Sequence, residues 1–480
     1  MQILSSMQVT KYFYFIRSVM YTITPKSSTP LHIQLYKQMR NDILQNMKKG
    51  DKLPSIRSMA SLYNISKTTV ESAYSQLYAE GYIESRPKSG YFVSDLYFEE
   101  SIADKEPPLS THDAAKPKEY RFDFFPAALH PDDFPLKIWK RLSAKVLRDD
   151  SIDFGSYPDG QGEMELRVEI AKYLGQLRGV NCTPEQIVIT SGFIDSLKLV
   201  ASLTKESCPI FGIEVPGYHI AHKVFRGYGF DVDYINVDSQ GMSIQKLSCS
   251  QAKIIYITPS HQYPTGVTMP VANRQKIIEI MHQRDGFIIE DDYDSELKYD
   301  SRPIPSLQGL DRYDRVIYLG TFAKALSPAL RVGYLLLPRQ LLKRYQNSYE
   351  SHFAKVSLST QKTLALFMKE GHFQRHLRRI RAINRRKHNL MRDTLKTTLK
   401  ESMHIATEGG GLAILIQPTR PLDWDKLKKL SQEAGLKIYL AKERSGGDFE
   451  AVRMGFGGLT QEEIIKGVEE FGKVWFASLL

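Results

Sequence analysis

Two stretches of the chain, FIIEDDYDSE at residues 287–296 and LGTFAKALSPALRVGYL at residues 319–335, carry the fold prediction. Each begins with a short apolar run typical of a buried strand and continues into a loop rich in Gly, Ser, Pro or Asp. Such runs lie at 187–190, 210–215, 253–258, 287–290 and 315–319. Helical stretches lie between them, and this alternation predicts a mostly parallel α/β sheet with helices on both faces. In such a sheet, ligands gather at the carboxyl ends of the strands.

The length and composition favour several domains in an ordinary water-soluble protein. A chain of 480 residues is too long for one hydrophobic core. Its 42% hydrophobic and 25% charged residues are typical of neither a disordered nor a membrane protein. The sequence has no apolar run of the roughly 18 residues that a bilayer span needs. The formal net charge of +11 is compatible with a polyanionic partner but does not require one.

The cysteines and the first residues suggest a cellular compartment. Cys182, Cys208 and Cys249 lack metal-ligand spacing and an obvious pairing, so we expect reduced thiols and no metal site. The opening residues carry Lys11 and Arg17 within their apolar patches and make a poor signal peptide. We therefore expect a cytoplasmic protein. Residues 1–29 are then a disordered extension, or they contain an upstream start that precedes the working Met20.

Residues 30–95 have the pattern of a small helical unit with a hairpin. Pro30 precedes a first helix, and Ser55 and Ser66 can cap a second and a third. Two short β-rich segments follow, separated by the turn RPKSG. Helix, helix, helix and hairpin predict a winged helix-turn-helix. We expect its core to contain Ile33, Tyr36, Met39, Ile43 and Leu44 from the first helix and Val70, Ala73, Tyr74 and Leu77 from the third.

A winged helix of this kind binds DNA through the start of its third helix and through its wing. The exposed candidates for DNA contact are Arg57 on the second helix, Lys67, Thr68 and Thr69 on the third, and Arg86, Lys88 and Ser89 on the wing. Nine Lys and Arg against six Asp and Glu give residues 30–95 a net charge of only +3. A winged helix that binds another protein therefore stays an alternative.

The rest of the chain divides into a linker and one large unit. Residues 96–119 are polar, acidic at first, and contain three prolines, which is typical of a linker. Residues 120–480 contain the predicted sheet. The part after about residue 340 has long basic helices and a final strand pattern, which suits a second, smaller lobe.

The two quoted stretches also place a set of chemical groups that pyridoxal 5'-phosphate (PLP) needs from a protein. Lys324 follows a predicted strand and offers an amine for the cofactor's aldehyde. Asp291 and Tyr293 lie two apart after another strand, so we expect them on one side, at the pyridine nitrogen and the ring hydroxyl. Phosphate ligands are expected from Arg331, from Thr321, and from the helix start TSGFIDSL with Ser191 and the amides of Gly192, Phe193 and Ile194.

Each of these features alone has a simpler interpretation. A lysine after a strand is usually a surface lysine, and EDDYDSE alone is compatible with a solvated acidic turn. The features occur together, in order, and each follows its own predicted strand. This joint pattern favours the cofactor site over a coincidence of surface residues.

The motifs EDDYDSE, TPSHQYPTG, GTFAKALSPALRVGY, EVPGYH and GHFQRHLRRIRAINRR resemble the fold-type I aminotransferase domain of the MocR/GabR subfamily of GntR-type regulators. Residues 30–93 resemble the GntR winged helix, and together the two likenesses cover nearly the whole chain. The resemblance implies a PLP-binding unit with large and small lobes, fused to a reader of double-stranded promoter DNA. It also implies a homodimer arranged head-to-tail.

The resemblance assigns roles residue by residue. It makes Lys324 the Schiff-base lysine, Asp291 the pyridine partner, Tyr293 the phenol at the ring oxygen and Arg331 the phosphate arginine. Tyr218 would pack on the cofactor ring, and Arg453 would bind an amino-acid carboxylate, with a surface arginine on an edge strand as its alternative. In the winged helix, the resemblance supports DNA-contact roles for Ser55, Arg57, Thr68 and Gly90.

The chain departs from the family pattern at three places. Tyr263 stands where aminotransferases commonly have the asparagine of NPTG, although the regulators commonly have an aromatic there. Ile220 stands where the GABA-sensing relative has a second arginine, which argues against a γ-carboxylate ligand. Phe193 and Ile194 are bulkier than usual beside the phosphate, which leaves more of the binding to backbone amides.

These features predict a transcription regulator that senses PLP, or PLP with an amino acid or amine, through aldimine exchange at Lys324. We expect no efficient turnover. Two alternatives remain: an aminotransferase with an accessory winged helix, and a repressor whose PLP-type domain only mediates dimerisation.

A second basic segment, residues 375–400, contains ten Lys and Arg and one acidic residue, Asp393. We interpret it as a long amphipathic helix of the smaller lobe with a solvated basic face. The alternative is that this face guides DNA in the assembled dimer.

Overall fold

The computed structural model describes residues 21–25, 27, 29–95, 120–299, 305–349, 355–407, 410–441 and 449–480. The predicted linker at 96–119 and residues 1–20 of the predicted extension lie outside the described residues. Contacts divide the chain into two compact units, 1–117 and 118–480.

The first unit contains three helices and a hairpin. The helices are α1 (Leu31–Asn46), α2 (Ile56–Tyr63) and α3 (Lys67–Ala79), and the strands are β1 (Ile83–Arg86) and β2 (Gly90–Val93). Ser55 Oγ accepts from the Ser58 amide and caps α2, and Ser66 Oγ accepts from the Thr69 amide and caps α3, each at 3.1 Å. The strands pair antiparallel, with Ile83 opposite Val93. This is the architecture of a winged helix-turn-helix.

Most of the predicted core of this unit is buried. All four residues expected on α3 are buried, and so are Tyr36, Met39 and Ile43 on α1. The prediction is wrong at Leu44, which is 38% exposed, and at Ile33, which is only half-buried. Leu35 is fully buried instead, because the apolar face of α1 is centred one position away from the face inferred from the sequence.

The second unit begins with the short strand β3 (Phe122–Asp123) and the helices α4 (Leu136–Leu147) and α5 (Met164–Arg178). The sheet strands that follow are β4 (Ile187–Thr190), β5 (Ile210–Val215), β6 (Asp231–Asp238), β7 (Gly241–Met242), β8 (Ile254–Ile257), β9 (Phe287–Asp291), β10 (Val316–Thr321) and β11 (Gly333–Leu336). The helices among and after them are α6 (Phe193–Thr204), α7 (His219–Gly227), α8 (Ile244–Cys249), α9 (Val271–Gln283), α10 (Leu307–Leu310) and α11 (Arg339–Tyr349).

These eight strands form one sheet in the order β4-β11-β10-β9-β8-β5-β6-β7. The strands from β10 through β6 pair in parallel, and β4 has the same direction because β11 is antiparallel to both β4 and β10. Most carboxyl ends therefore lie along one edge of the sheet. The α/β class with a mostly parallel sheet is confirmed.

Three strands of this sheet, β6, β7 and β11, were not predicted, and β7 has only two residues. β6 has the polar pattern DVDYINVD, and several of its side chains are exposed, so it lacks the continuous apolar run of the central strands. β11 follows β10 after a short connection and runs antiparallel to it. The prediction relied on strands separated by α-helices. It therefore missed β11, because no α-helix lies between β10 and β11.

The smaller lobe contains the helices α12 (Leu358–Lys369), α13 (His372–Leu399), α14 (Trp424–Glu433) and α15 (Gln461–Ala477). Its strands are β12 (Met403–Thr407), β13 (Ala413–Pro418), β14 (Leu436–Lys437), β15 (Tyr439–Leu440) and β16 (Val452–Gly455). Four of them form an antiparallel sheet in the order β12-β13-β16-β15. Among the described residues, no helix is both long and apolar enough to cross a membrane.

Candidate cofactor site and nucleic-acid interface

The carboxyl-edge loops of the large sheet bring the predicted cofactor residues together. Lys324 lies just after β10, and its Nζ lies 2.7 Å from Asp294 Oδ1 and 4.8 Å from the ring centre of Tyr293. Its side chain is 23% exposed, so the lysine is only partly shielded from solvent. The lysine and the phenol predicted from the sequence thus share one site.

Asp291 ends β9 in the interior of the protein. Its Oδ2 accepts a hydrogen bond from the hydroxyl of Tyr256 on the neighbouring strand β8. Burial raises the pKa of this carboxyl to about 7, against the lowering effects of the Tyr256 hydrogen bond and of the Lys324 charge. A buried carboxyl of this kind is stabilised by a further proton donor, and a protonated pyridine nitrogen is such a donor.

The predicted phosphate ligands meet at the start of α6. Gly192 has φ 84° and precedes the helix, and the Nη2 of Arg331 donates to the backbone oxygen of Ser191 at 3.3 Å. A Cβ atom at Gly192 would lie 2.9 Å from that Nη2. The glycine therefore leaves the space in which the guanidinium lies beside the helix amides. Such an arrangement of amides and a guanidinium suits a phosphate.

We call the start of α6 together with the Arg331 guanidinium the cradle, and three more of the predicted residues border it. The Thr321 hydroxyl accepts from the Ala323 amide at 3.4 Å, so it lies in the loop of Lys324. The ring of Phe193 packs against Tyr218, with ring centres 5.4 Å apart. Ile194 is 41% exposed at the same helix start. The Phe193 ring thus begins a row of packed aromatic side chains, which we call the aromatic wall.

That aromatic wall crosses the site. Tyr218 lies 5.1 Å from Tyr263, and Tyr263 lies 6.2 Å from Tyr293, as measured between ring centres. Arg453 reaches the wall from the smaller lobe, with its guanidinium carbon 4.6 Å from the centre of the Tyr263 ring. β16, which carries Arg453, pairs with both β13 and β15. The alternative of a surface arginine on an edge strand is therefore wrong.

A buried ion pair supports the site from behind. Arg178 donates to both carboxylate oxygens of Asp292, at 2.6 and 2.8 Å, and to the hydroxyl of Ser260. Tyr318 also donates to Asp292. Adjacent acids of the EDDYDSE motif thus have different partners, because Asp291 accepts from Tyr256 whereas Asp292 binds Arg178. This pair fixes the loop that follows β9.

Three groups in this region were not predicted from the sequence. Asp294 binds Lys324, Tyr256 binds Asp291, and Glu214 at the end of β5 lies buried beside the hydroxyl of Thr258. Burial raises the pKa of Glu214 to about 7. The signal for Tyr256 was available, because β8 is a neighbour of β9 and a tyrosine near its end can reach the same edge. No sequence rule gives the side chain direction of Asp294.

In the first unit, some of the side chains predicted to contact DNA are exposed, whereas others already have hydrogen-bond partners within the protein. Lys67, Thr68, Arg57 and Lys88 are exposed. The Ser55 hydroxyl is engaged in capping α2, and the Thr69 hydroxyl lies 2.8 Å from that of Ser66. These two hydroxyls have structural partners, and their contacts with DNA stay predictions.

The wing of this unit has its own local contacts. Arg86 donates to Glu84 and lies 4.4 Å from the centre of the Phe92 ring. Gly90, with φ 105°, begins the second strand of the wing, and Lys88 lies in the turn before it with φ 61°. The side chain of Lys88 therefore extends from a tight turn, whereas Arg86 is already paired.

The basic segment at 375–400 falls almost wholly on α13. Five of its cations donate to backbone oxygens of the protein: Arg375, Arg379, Arg381, Arg385 and Lys387. Of these, Arg381 is half-buried and Lys387 is buried, so the interpretation of a solvated basic face is wrong for these two residues. Arg378 and Arg386 are exposed. Half of the basic residues thus fasten α13 to neighbouring segments.

Comparisons with known proteins agree with both units. Residues 31–93 match the family of bacterial regulatory proteins of the gntR type, and residues 130–471 match aminotransferase class I and II. The uncharacterized HTH-type transcriptional regulator YdeL of Bacillus subtilis is 37% identical over 94% of this chain and 99% of its own length. The probable rhizopine catabolism regulatory protein MocR of Rhizobium meliloti is 33% identical over 86% of each chain.

Among solved structures, LysN, the α-aminoadipate aminotransferase of Thermus thermophilus, is similar with a TM-score of 0.66 and 26% identity. The match covers 74% of this chain and 92% of that one. That enzyme was crystallised with N-(5'-phosphopyridoxyl)-L-leucine.

Proposed function

The chain belongs to the MocR-type regulators, which join a GntR-type DNA-binding region to a PLP-dependent aminotransferase-like region, and we propose that it regulates transcription by sensing PLP with an amino acid or amine at Lys324. The observation that carries the proposal is the joint placement of Lys324, Asp291, Tyr293 and Arg331 along one sheet edge. A chance cluster of surface residues would not explain why a lysine amine contacts a buried carboxylate while a guanidinium lies at the start of a helix on the same sheet edge.

The donor set fits the cofactor. Asp291 would hold the proton of the pyridine nitrogen, Tyr293 would donate to the ring oxygen, and Tyr218 would pack on the ring. Arg331, Thr321 and the amides after Gly192 would bind the phosphate. When bound, the cofactor supplies an aldehyde carbon that takes one primary amine at a time. Lys324 and an effector amine would compete for that carbon.

The effector is proposed to be an α-amino acid or a related amine. Arg453 lies at the aromatic wall on an interior strand, where its guanidinium can bind a carboxylate in bidentate fashion. Ile220, two residues after Tyr218, offers no charge for a second carboxylate. An amino acid bound between Arg453 and the large sheet would contact both lobes. Binding would thus favour one arrangement of the lobes by the difference in affinity between the two states.

Promoter DNA is the proposed partner of the first unit, and a homodimer, with its subunits head-to-tail, is the proposed active form. Exposed Lys67 and Thr68 support a contact between α3 and the major groove, and exposed Arg57 supports a contact from α2. A dimer would place two such units on one operator, which we expect to have two half-sites.

The test is a matched pair of binding measurements on full-length protein. We expect wild-type chain to take up PLP, and borohydride reduction followed by peptide mass spectrometry to find the label on Lys324. Lys324→Ala should lose the label, and Lys429→Ala, which changes an exposed lysine elsewhere, should keep it. A panel of amino acids should then change operator affinity in the wild-type protein but not in Lys324→Ala. A label on another lysine, or equal responses of the two proteins, would contradict the proposal.

A working aminotransferase is the second candidate, because the amine, the buried carboxyl and Arg453 are all in place. Steady-state transamination at about 1 s⁻¹ or faster would favour it. Slower turnover, together with effector-dependent DNA binding, would favour the regulator.

A further inference from the structure

We propose that Asp294 is a positioning residue that holds the amine of Lys324 whenever that amine is not bonded to the cofactor. The inference rests on the proposed function for its biological meaning. The structural evidence for it is the contact of 2.7 Å between Lys324 Nζ and Asp294 Oδ1. The side chain of Asp294 is only 6% exposed, so its charge is largely removed from water. A buried charge needs a partner, and the lysine amine is that partner.

The backbone at Asp294 shows that the carboxylate is directed to this contact. Asp294 has φ 60° and ψ 7°, in the left-handed region that few residues other than glycine, asparagine and aspartate adopt. A regular continuation of β9 would direct its side chain elsewhere. Gly411, with φ 73°, lies so near that a Cβ atom there would be 2.6 Å from Asp294 Oδ2. The smaller lobe thus leaves room for the carboxylate only by having a glycine at this point.

The residues after Asp294 are held at several points. Tyr173 donates to the side chain of Glu296 at 2.7 Å, and Arg381 of α13 donates to the backbone oxygen of Glu296 at 2.9 Å. The Tyr299 hydroxyl donates to the backbone oxygen of Gly411 at 2.6 Å. We call residues 294–299 the strap. Its contacts with α5, α13 and the β12–β13 connection fix the place of Asp294 relative to Lys324.

Asp291 and Asp294 have different proposed roles. Asp291 already accepts from Tyr256 and faces the position proposed for the ring nitrogen, whereas Asp294 binds the amine. Because the ion pair must break before the amine can react, Asp294 favours the state in which Lys324 is released. A sensor benefits from such a group, since an effector amine must displace the lysine and the displaced lysine needs a stable resting place.

The experiment measures the reactivity of Lys324 in the cofactor-free protein. Trace labelling with acetic anhydride, followed by peptide mass spectrometry, gives the acetylation of Lys324 relative to the exposed Lys429. We expect Asp294→Asn to raise that ratio by about tenfold, the factor that corresponds to losing one charge-assisted hydrogen bond. Asp294→Gly should raise it equally. Asparagine and glycine both adopt a positive φ readily, so neither replacement strains the backbone at position 294.

The control is Glu165→Gln, which changes an acid that contacts Lys362 at 2.8 Å on another part of the unit. It should leave the Lys324 ratio unchanged. An unchanged ratio in both Asp294 variants, with thermal unfolding like that of wild type, would overturn the inference, and so would a rise in the control. The measurement needs no PLP. Failure of the wild-type protein to bind PLP would therefore reject the proposed function and leave the role of Asp294 decided separately.

As a second readout, both Asp294 variants should bind PLP about tenfold more tightly than wild type, because the amine no longer has to leave an ion pair. Equal or weaker binding would contradict a holding role in the released state.

Discussion

At the scale of single residues, burial of the Asp291 carboxyl destabilises its ionised form, and the proposed cofactor site explains why such a group lies there. Burial raises its pKa to about 7 from an ordinary value near 3.8. The folded protein therefore prefers the neutral carboxyl, and the cost of ionising it is fully present only above about pH 7. Below the ordinary value the carboxyl is neutral in both folded and unfolded chains, and the cost disappears. A protonated cofactor ring would offset this cost.

This sign gives a prediction for the cofactor-free protein. Asp291→Asn removes the charge and should stabilise the second unit at pH 8 by up to about 4 kcal/mol, with a smaller gain at pH 5. Thermal unfolding followed at the two pH values measures the difference. Asp231→Asn, at an exposed acid on β6, should show no such dependence on pH. Equal gains at pH 5 and pH 8 would mean that burial does not perturb Asp291. The same substitution should weaken PLP binding, because the ring nitrogen loses its partner.

Gly192 offers a second prediction at this scale. Gly192→Ala would place a methyl group 2.9 Å from the Arg331 guanidinium in a backbone conformation with φ 84°. We expect the arginine to move and the affinity for PLP to fall at least about tenfold, the loss expected for one charge-assisted hydrogen bond. Equilibrium dialysis with PLP measures it. Gly227→Ala, at the end of α7 where no atom lies within 4 Å of the added carbon, should leave PLP affinity unchanged. Unchanged affinity in Gly192→Ala would remove the cradle from the proposed site.

The same residues show what the sequence reveals and where it fails. Lys324, Asp291 and Tyr293 were predicted because each follows an apolar run that ends at the ligand-binding edge. Asp294 was not, because β9 ends at Asp291 and the left-handed turn at Asp294 breaks the alternation on which side assignments depend. Spacing describes strands and helices well, but it gives no direction to a side chain in an irregular loop.

At the scale of elements, α13 shows how composition can mislead. Its nine Lys and Arg residues suggest a solvated or DNA-guiding face, yet Arg381, Arg385 and Lys387 donate to backbone oxygens of the strap and of the β16–α15 loop. The helix pattern predicted α13 itself correctly. The partners of its cations are carbonyl groups distant in sequence, and no charge count can reveal them.

This difference between neighbouring arginines gives the third prediction. Arg381→Ala should destabilise the protein by about 1–3 kcal/mol, because the Glu296 oxygen loses a charge-assisted hydrogen bond. Arg386→Ala, at an exposed position on the same helix, should change stability by about 0.5 kcal/mol or less. Urea unfolding of cofactor-free protein compares the two. Similar effects of both variants would show that the strap contact contributes little.

The α13 structure also changes the choice of residues for testing a DNA-guiding face. Arg379 donates to the backbone oxygen of Asp133, so reversing its charge would disturb the fold as well as any DNA contact. Exposed Arg378 and Arg386 are the informative pair. Unchanged operator affinity and salt dependence in their double Glu variant would discard that face as a DNA contact.

At the scale of the whole molecule, the two units carry separate chemistry that the proposed function must connect. The winged helix has a modest net charge, so its affinity for DNA depends on a few exposed cations rather than on a general positive field. The second unit contains the proposed cofactor site and two lobes, both of which the proposed effector would contact. Because a dimer presents two winged helices, the number of cations on DNA reports the number of chains bound.

Lys88 makes this count measurable. It lies exposed in the turn of the wing, whereas Arg86 is already paired with Glu84 and Phe92. Removing one phosphate contact lowers the slope of log affinity against log salt by about 0.9. Lys88→Ala should therefore lower the slope by about 0.9 if one chain binds the operator and by about 1.8 if two chains bind. It should also weaken binding to unrelated DNA by a similar factor, since phosphates carry no sequence information.

Fluorescence anisotropy over a salt series measures the slopes for wild type, Lys88→Ala and the control Lys429→Ala, whose exposed lysine lies on the second unit. We expect the control to match wild type and Lys88→Ala to show the larger change, because the proposed active form is a homodimer. A change near 0.9 would mean that one wing binds at a time. An unchanged slope would remove the wing from the interface and leave Arg57 on α2 and the start of α3, with Lys67 and Thr68, as the proposed DNA contacts.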